Sequence, residues 1–73
     1  MKKRIIDILT DLRPEFDFSQ DVNFIEQGML DSFDVFNLAV QLEKEFGIKI
    51  DGTDIVACNF SSVENIIKLV TKK

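Results

Sequence analysis

Ser32 stands between two acids, Asp31 and Asp34, where a polar stretch gives way to a helical pattern. A serine in that position is normally a helix cap, its oxygen accepting from an amide of the first turn. A phosphate ester on its hydroxyl would be electrostatically tolerated, because a helix N-terminus favours negative charge. Asp31 and Asp34 oppose that effect locally. The chain has no histidine, so Ser32 lacks the usual base that would activate it as a nucleophile. Any group on Ser32 must therefore be attached by another enzyme.

The other chemistry-bearing residues are few. Without histidine, the commonest general base and the commonest metal ligand are both missing. Cys58 is the single cysteine, which excludes an internal disulfide and a thiolate metal site. With no imidazole beside it, Cys58 is expected to be a small buried side chain. Gly28, Gly47 and Gly52 are spaced for neither a dinucleotide fingerprint nor a phosphate loop. The expectation is a protein without catalysis of its own.

Size and charge bound the rest. A chain of 73 residues, 45% hydrophobic and 30% charged, supports one domain and one core. Such a chain buries only about 60% of the surface its unfolded form exposes, which leaves no room for a deep cleft. The apolar runs are too short for a membrane span. Met1-Lys2-Lys3-Arg4 resembles the start of a signal peptide, but Asp7, Thr10 and Asp11 interrupt the apolar stretch that should follow. A soluble, cytoplasmic, monomeric protein is expected. Six of the nine basic residues lie at the ends: Lys2, Lys3, Arg4, Lys68, Lys72 and Lys73. Between residues 5 and 67, three cations against 13 acids leave −10. That sign repels nucleic acid and anionic lipid and attracts proteins with basic docking patches.

The elements that must position Ser32 are legible as periodicities. Ile5, Ile8, Leu9 and Leu12 predict a helix over 2–12, stopped by Pro14. A long connection over 13–31 carries Phe16, Phe18, Val22, Phe24, Ile25 and Leu30. It is expected to wrap across helix ends, with a short turn around 22–27. Asp31 or Ser32 caps the second helix, whose stripe is Val35, Leu38, Ala39, Leu42 and Phe46, and Gly47 stops it. Glu43, Lys44 and Glu45 fit its solvated face. Ile48 and Ile50 are expected to plug the core from a loop. A single turn over 53–58, capped by Thr53 or Asp54, precedes the last helix. There Ser61 and Glu64 form a predicted capping box, and Val63, Ile66, Ile67 and Val70 face inward. Lys68, Lys72 and Lys73 complement the negative end of its dipole. The fold class is all-α: a small four-helix bundle of three main helices and one short third helix, with a long first loop.

Phe33, Phe36 and Val40 recur at helical spacing but lie off the core stripe of the second helix. Periodicity leaves them either partly buried against a neighbouring helix or exposed as an apolar docking patch.

The run Gly28-Met29-Leu30-Asp31-Ser32-Phe33 resembles the attachment motif of acyl and peptidyl carrier proteins, in which Gly-x-x-Asp-Ser opens the second helix of a four-helix bundle. The likeness extends over nearly the whole chain, including its acidity and the Leu42-Glu43-Lys44-Glu45-Phe46-Gly47-Ile48 end of the second helix. The resemblance implies one acyl-carrier domain over 1–73, with Ser32 receiving phosphopantetheine from coenzyme A through a phosphopantetheinyl transferase. The arm's thiol would then hold an acyl or aminoacyl group as a thioester. Asp31 would help the transferase recognise its target. Phe33, Phe36, Asn37, Val40 and Glu43 would dock partners, namely an acyl or aminoacyl ligase and downstream acyl-processing enzymes.

The chain also departs from that pattern. Asn37, Gln41 and Lys44 dilute the acidic face, Phe33 replaces a more usual leucine, and Phe36 is bulky for a docking position. Residues 54–60 make a longer stretch than housekeeping carriers have. These features favour a dedicated carrier of a specialised biosynthetic pathway, with Phe46 and Phe60 leaving little room for a long fatty chain. The alternatives are an aminoacyl carrier of the D-alanyl type and an unmodified helical interaction module in which Ser32 is only a cap.

Overall fold

The computed structural model describes residues 1–72, and Lys73 with its expected dipole contact lies outside the described residues. Lys2–Leu12 forms α1, which buries Ile5 and Leu9 and leaves Ile8 and Leu12 half-buried. The helix ends where Pro14 requires, with Arg13 leaving helical geometry at φ −137°. Ser32–Phe46 forms α2, and its buried stripe is Val35, Leu38, Ala39 and Leu42. Phe46 closes that stripe half-buried at the edge of the core. Val63–Thr71 forms α3, which buries Val63, Ile66, Leu69 and Val70. Leu69 joins the stripe read from the sequence, whereas Ile67 is only half-buried. No strand occurs among the described residues.

α1 packs on both α2 and α3. Two ion pairs tie opposite ends of α1 and α2. Arg4 meets Glu45 near one end, and Arg13 meets Asp34 at the other. The two helices therefore run antiparallel. The Arg4–Glu45 pair lies on the surface and contributes little to stability; the Arg13 pair is of another kind, as its burial shows.

The long first loop is a packed element. Phe18 and Phe24 are fully buried, their rings edge to face at 5.1 Å, and Phe16 meets Phe18 edge to face at 6.3 Å. The expected turn is centred on Asn23. Its side-chain oxygen accepts from the amides of Ile25 and Glu26, while the Gln27 amide donates to the Asn23 carbonyl. The Phe24 amide donates to the Ser61 carbonyl at 2.7 Å, which fastens the loop to the approach of α3. Among the described residues, every buried side-chain polar atom has a hydrogen-bond partner.

Three local expectations are corrected. The single turn over 53–58 is replaced by two 3₁₀ turns, Gly52–Asp54 and Ala57–Phe60. Val56 adopts extended backbone between them, at φ −130° and ψ 152°, which interrupts any continuous helix. The cap of α3 is Ser62, accepting from the Asn65 amide, and the Ser61–Glu64 box does not form. Ser61 is instead buried, donating to the Cys58 carbonyl and accepting from the Asn65 side-chain amide. Cys58 is exposed rather than buried, because Phe60 and Ser61 take the inward positions of that turn.

Gly47 ends α2 in the left-handed region, φ 62° and ψ 38°, with its amide donating to the Glu43 carbonyl. The next amides complete the stop. Ile48 donates to the Glu43 carbonyl and Ile50 to the Glu43 carboxylate. This turn drives Ile50 into the core and leaves Ile48 half-buried against it. A Cβ at Gly47 would meet nothing within 4 Å. Gly47→Ala should therefore be destabilising through backbone conformation alone, by about 1 kcal/mol, measured by urea denaturation.

Candidate functional site

The run 28–33 folds as a sequence of distinct tasks. Gly28 closes the Asn23 turn at φ 72°, where a side chain would be strained. The amides of Met29 and Leu30 both donate to the Phe24 carbonyl, and both side chains are buried. They anchor the entry to α2. Asp31 is the cap: its Oδ1 accepts from the Asp34 amide at 2.8 Å, while Asp34 Oδ2 accepts from the Asp31 amide at 3.2 Å. This reciprocal pair is a capping box built from two aspartates. Ser32, the first residue of α2, is exposed and its hydroxyl has no hydrogen-bond partner. Of the two capping residues left open by the sequence, the structure selects Asp31.

Arg13 completes the site. Its Nε and Nη2 each lie 2.8 Å from Asp34 Oδ2, and Nη2 is 3.5 Å from Asp31 Oδ2. Asp34 is only 6% exposed. Burial pushes its carboxyl up, but the Arg13 hydrogen bond, the Asp31 amide and the Arg13 charge outweigh that and hold it below the ordinary aspartate value. The same partnership raises the Arg13 guanidinium. Asp34 is thus an internal structural charge and no part of a solvated acidic face. Sequence reasoning passed over Arg13, although it is one of three cations in the acidic body and directly precedes Pro14.

The remaining site candidates lie along α2. Phe33 is 71% exposed and Phe36 57%, while Val40 and Asn37 are half-buried. The apolar row is therefore mostly outside the core, open to solvent beside Ser32. Glu43 is half-buried and holds the Ile50 amide at 2.8 Å, so it is not simply part of a solvated face. An open cleft of about 270 Å³ lies against Ser32, lined by Ile25, Leu30, Asp31, Val35, Ile55 and Ala57. It joins the first loop, α2 and the 3₁₀ segment, which no local sequence signal connects. Phe60 is fully buried in the core and Phe46 half-buried at its edge. No cluster of metal-ligating side chains occurs among the described residues, and no helix there is long and apolar enough to cross a membrane.

An exposed hydroxyl at the start of a helix, beside an open cleft and relieved of capping, fits a phosphate ester with a flexible arm. The amides of the first turn and the helix dipole favour its charge. The arm's thiol is the reactive group that such a modification would add.

The division of labour between Asp31 and Ser32 has a measurable consequence. Asp31→Ala should cost about 1 kcal/mol by denaturant unfolding, whereas Ser32→Ala should be within about 0.5 kcal/mol of neutral. The depressed Asp34 carboxyl contributes stability that is fully present above the ordinary aspartate value of 3.8 and is lost as pH falls through its lower folded value. Acid unfolding of Asp34→Asn should accordingly show a shallower pH dependence below 3.8 than the wild type.

The model of the family described as the phosphopantetheine attachment site matches residues 3–70. The chain is 29% identical to the D-alanyl carrier protein of Bacillus velezensis over 73 aligned positions, covering 97% of this chain and 94% of that protein. No solved structure matches it. With the match running through all three helices, the chain belongs to the phosphopantetheine attachment-site family of carrier proteins and takes phosphopantetheine as its covalent prosthetic group.

Proposed function

We propose that this protein is a discrete carrier whose Ser32 bears the phosphopantetheine arm and whose cargo is an aminoacyl or short acyl group held as a thioester. The observation that carries the reading is the free Ser32 hydroxyl, exposed at the start of α2 because Asp31 has taken the cap. When bound, the arm supplies a thiol that forms the thioester; the chain's own residues position and present it. Tethering raises the cargo's effective concentration at each enzyme the carrier docks to. Asp31, still largely exposed, is available for transferase recognition. Phe33 and Phe36 offer the apolar docking contacts, supported at the margin by Val40 and Asn37. Glu43 is the weakest of these docking candidates, because its carboxylate already holds the Ile50 amide.

The cargo assignment rests on size and kinship. The cleft beside Ser32, at about 270 Å³, is below the ~300–1,000 Å³ of sites that engulf larger ligands. The named D-alanyl carrier aligns with nearly the whole chain. Together these favour an amino acid activated by an adenylating ligase over a long fatty chain. In this reading the protein works as a monomer in the cytoplasm, catalyses nothing itself, and serves a transferase, a ligase and downstream acyl-processing enzymes.

Intact mass before and after incubation with coenzyme A and a broad-specificity phosphopantetheinyl transferase tests the site. The wild type should gain one phosphopantetheine and Ser32→Ala none; gain by both variants, or by neither when folded, would refute the assignment. Loading the modified protein with an adenylating ligase, ATP and a panel of amino acids and fatty acids then tests the cargo. Thioester mass should appear with a small amino or short acyl acid and not with long fatty acids.

A further inference from the structure

A phosphate approaching Ser32 meets a conflict of charge. The helix N-terminus attracts it, but Asp31 and Asp34 flank the hydroxyl on the same turn. We propose that Arg13 resolves this conflict and is a positioning residue for modification of Ser32, an inference that rests on Ser32 being the attachment residue.

The geometry is specific. Arg13 aims Nε and Nη2 at Asp34 Oδ2, both at 2.8 Å, and brings Nη2 to 3.5 Å from Asp31 Oδ2. One guanidinium thus offsets the buried carboxylate and reaches the exposed one. Glu15 accepts from the third nitrogen, Nη1, at 3.3 Å. The Arg13 side chain is about one-third exposed, 34%, so its charge is felt in solvent as well as in the core. It arrives there because α1 stops at Leu12 and the following residue departs toward the first turn of α2. Two effects follow. The first turn is locked in register, and the local field at Ser32 loses one negative charge.

In the modification, a bond forms from Ser32 Oγ to phosphorus as a phosphorus–oxygen bond of the coenzyme A pyrophosphate breaks. The adenosine bisphosphate half departs with that electron pair. The hydroxyl proton goes to a base on the transferase, since Asp34 is committed to Arg13 and the Asp31 amide. The coenzyme A pyrophosphate that approaches Ser32 in this step is an anion. The Arg13 guanidinium, held against Asp34 and Asp31, lowers the repulsion it meets there.

The test compares initial rates of mass gain with coenzyme A and a broad-specificity transferase for the wild type, Arg13→Gln, Arg13→Lys and the double variant Arg13→Gln/Asp34→Asn. All are checked by circular dichroism at the assay temperature. Asparagine at position 34 still accepts from the Asp31 amide but removes the charge that Arg13 offsets. Arg13→Gln should lower kcat/KM for modification by roughly three- to tenfold at low ionic strength. Arg13→Lys and the double variant should recover most of that loss, and the deficit of Arg13→Gln should shrink in ~0.5 M salt. Wild-type rates for Arg13→Gln, or a folded double variant as slow as the single one, would overturn the inference. Failure of the wild type to load, or loading of Ser32→Ala, would instead overturn the assignment of Ser32 on which it rests.

Discussion

The start of α2 depends on one buried carboxylate. Asp34 Oδ2 accepts from Arg13 Nε, Arg13 Nη2 and the Asp31 amide. A carboxylate that is 6% exposed is costly unless its lone pairs and charge are met, and here they are met from two segments at once. The interaction joins the end of α1 to the beginning of α2 and sets their antiparallel sense at that end. It also frees Ser32, because a turn already capped and clamped has no need of the serine hydroxyl.

The spacing of residues 28–33 follows from that constraint. Gly28 supplies a left-handed residue to close the preceding turn, and Met29 and Leu30 bury themselves to anchor it. Asp31 then caps, and Ser32 is presented. Each residue type is needed for its own physical reason. The exposed Phe33 and Phe36 follow immediately on the same helix. In the proposed reading, an enzyme docked on the phenylalanines has its active site within reach of an arm on Ser32.

The long first loop behaves as part of the core. Phe18 and Phe24 are among the most buried side chains, and the Phe24 amide reaches the Ser61 carbonyl. The three helices of this 73-residue chain do not close its core alone. Irregular chain supplies the remainder, with Asn23 and Asp17 satisfying its amides locally. Serving this way, the loop also provides Ile25 and Leu30 as one wall of the cleft at Ser32.

The sequence by itself determined the three helices and the stop at Gly47, because these rest on local rules. Apolar spacing, the ban on helix before Pro14 and the left-handed tolerance of glycine act within a few residues. It did not determine which of Asp31 and Ser32, or of Ser61 and Ser62, would cap, since neighbouring residues have similar capping ability. Ser61 lost that role to the packing of Phe60 and its bonds with Cys58 and Asn65. Nor did local rules reveal that Asp34 pairs with Arg13, 21 residues away, or that Ile55 and Ala57 would line one cleft with Ile25 and Ser32. Those are contacts between segments distant in the chain. Only the tertiary structure decides them, because their energy exists only once the segments have met.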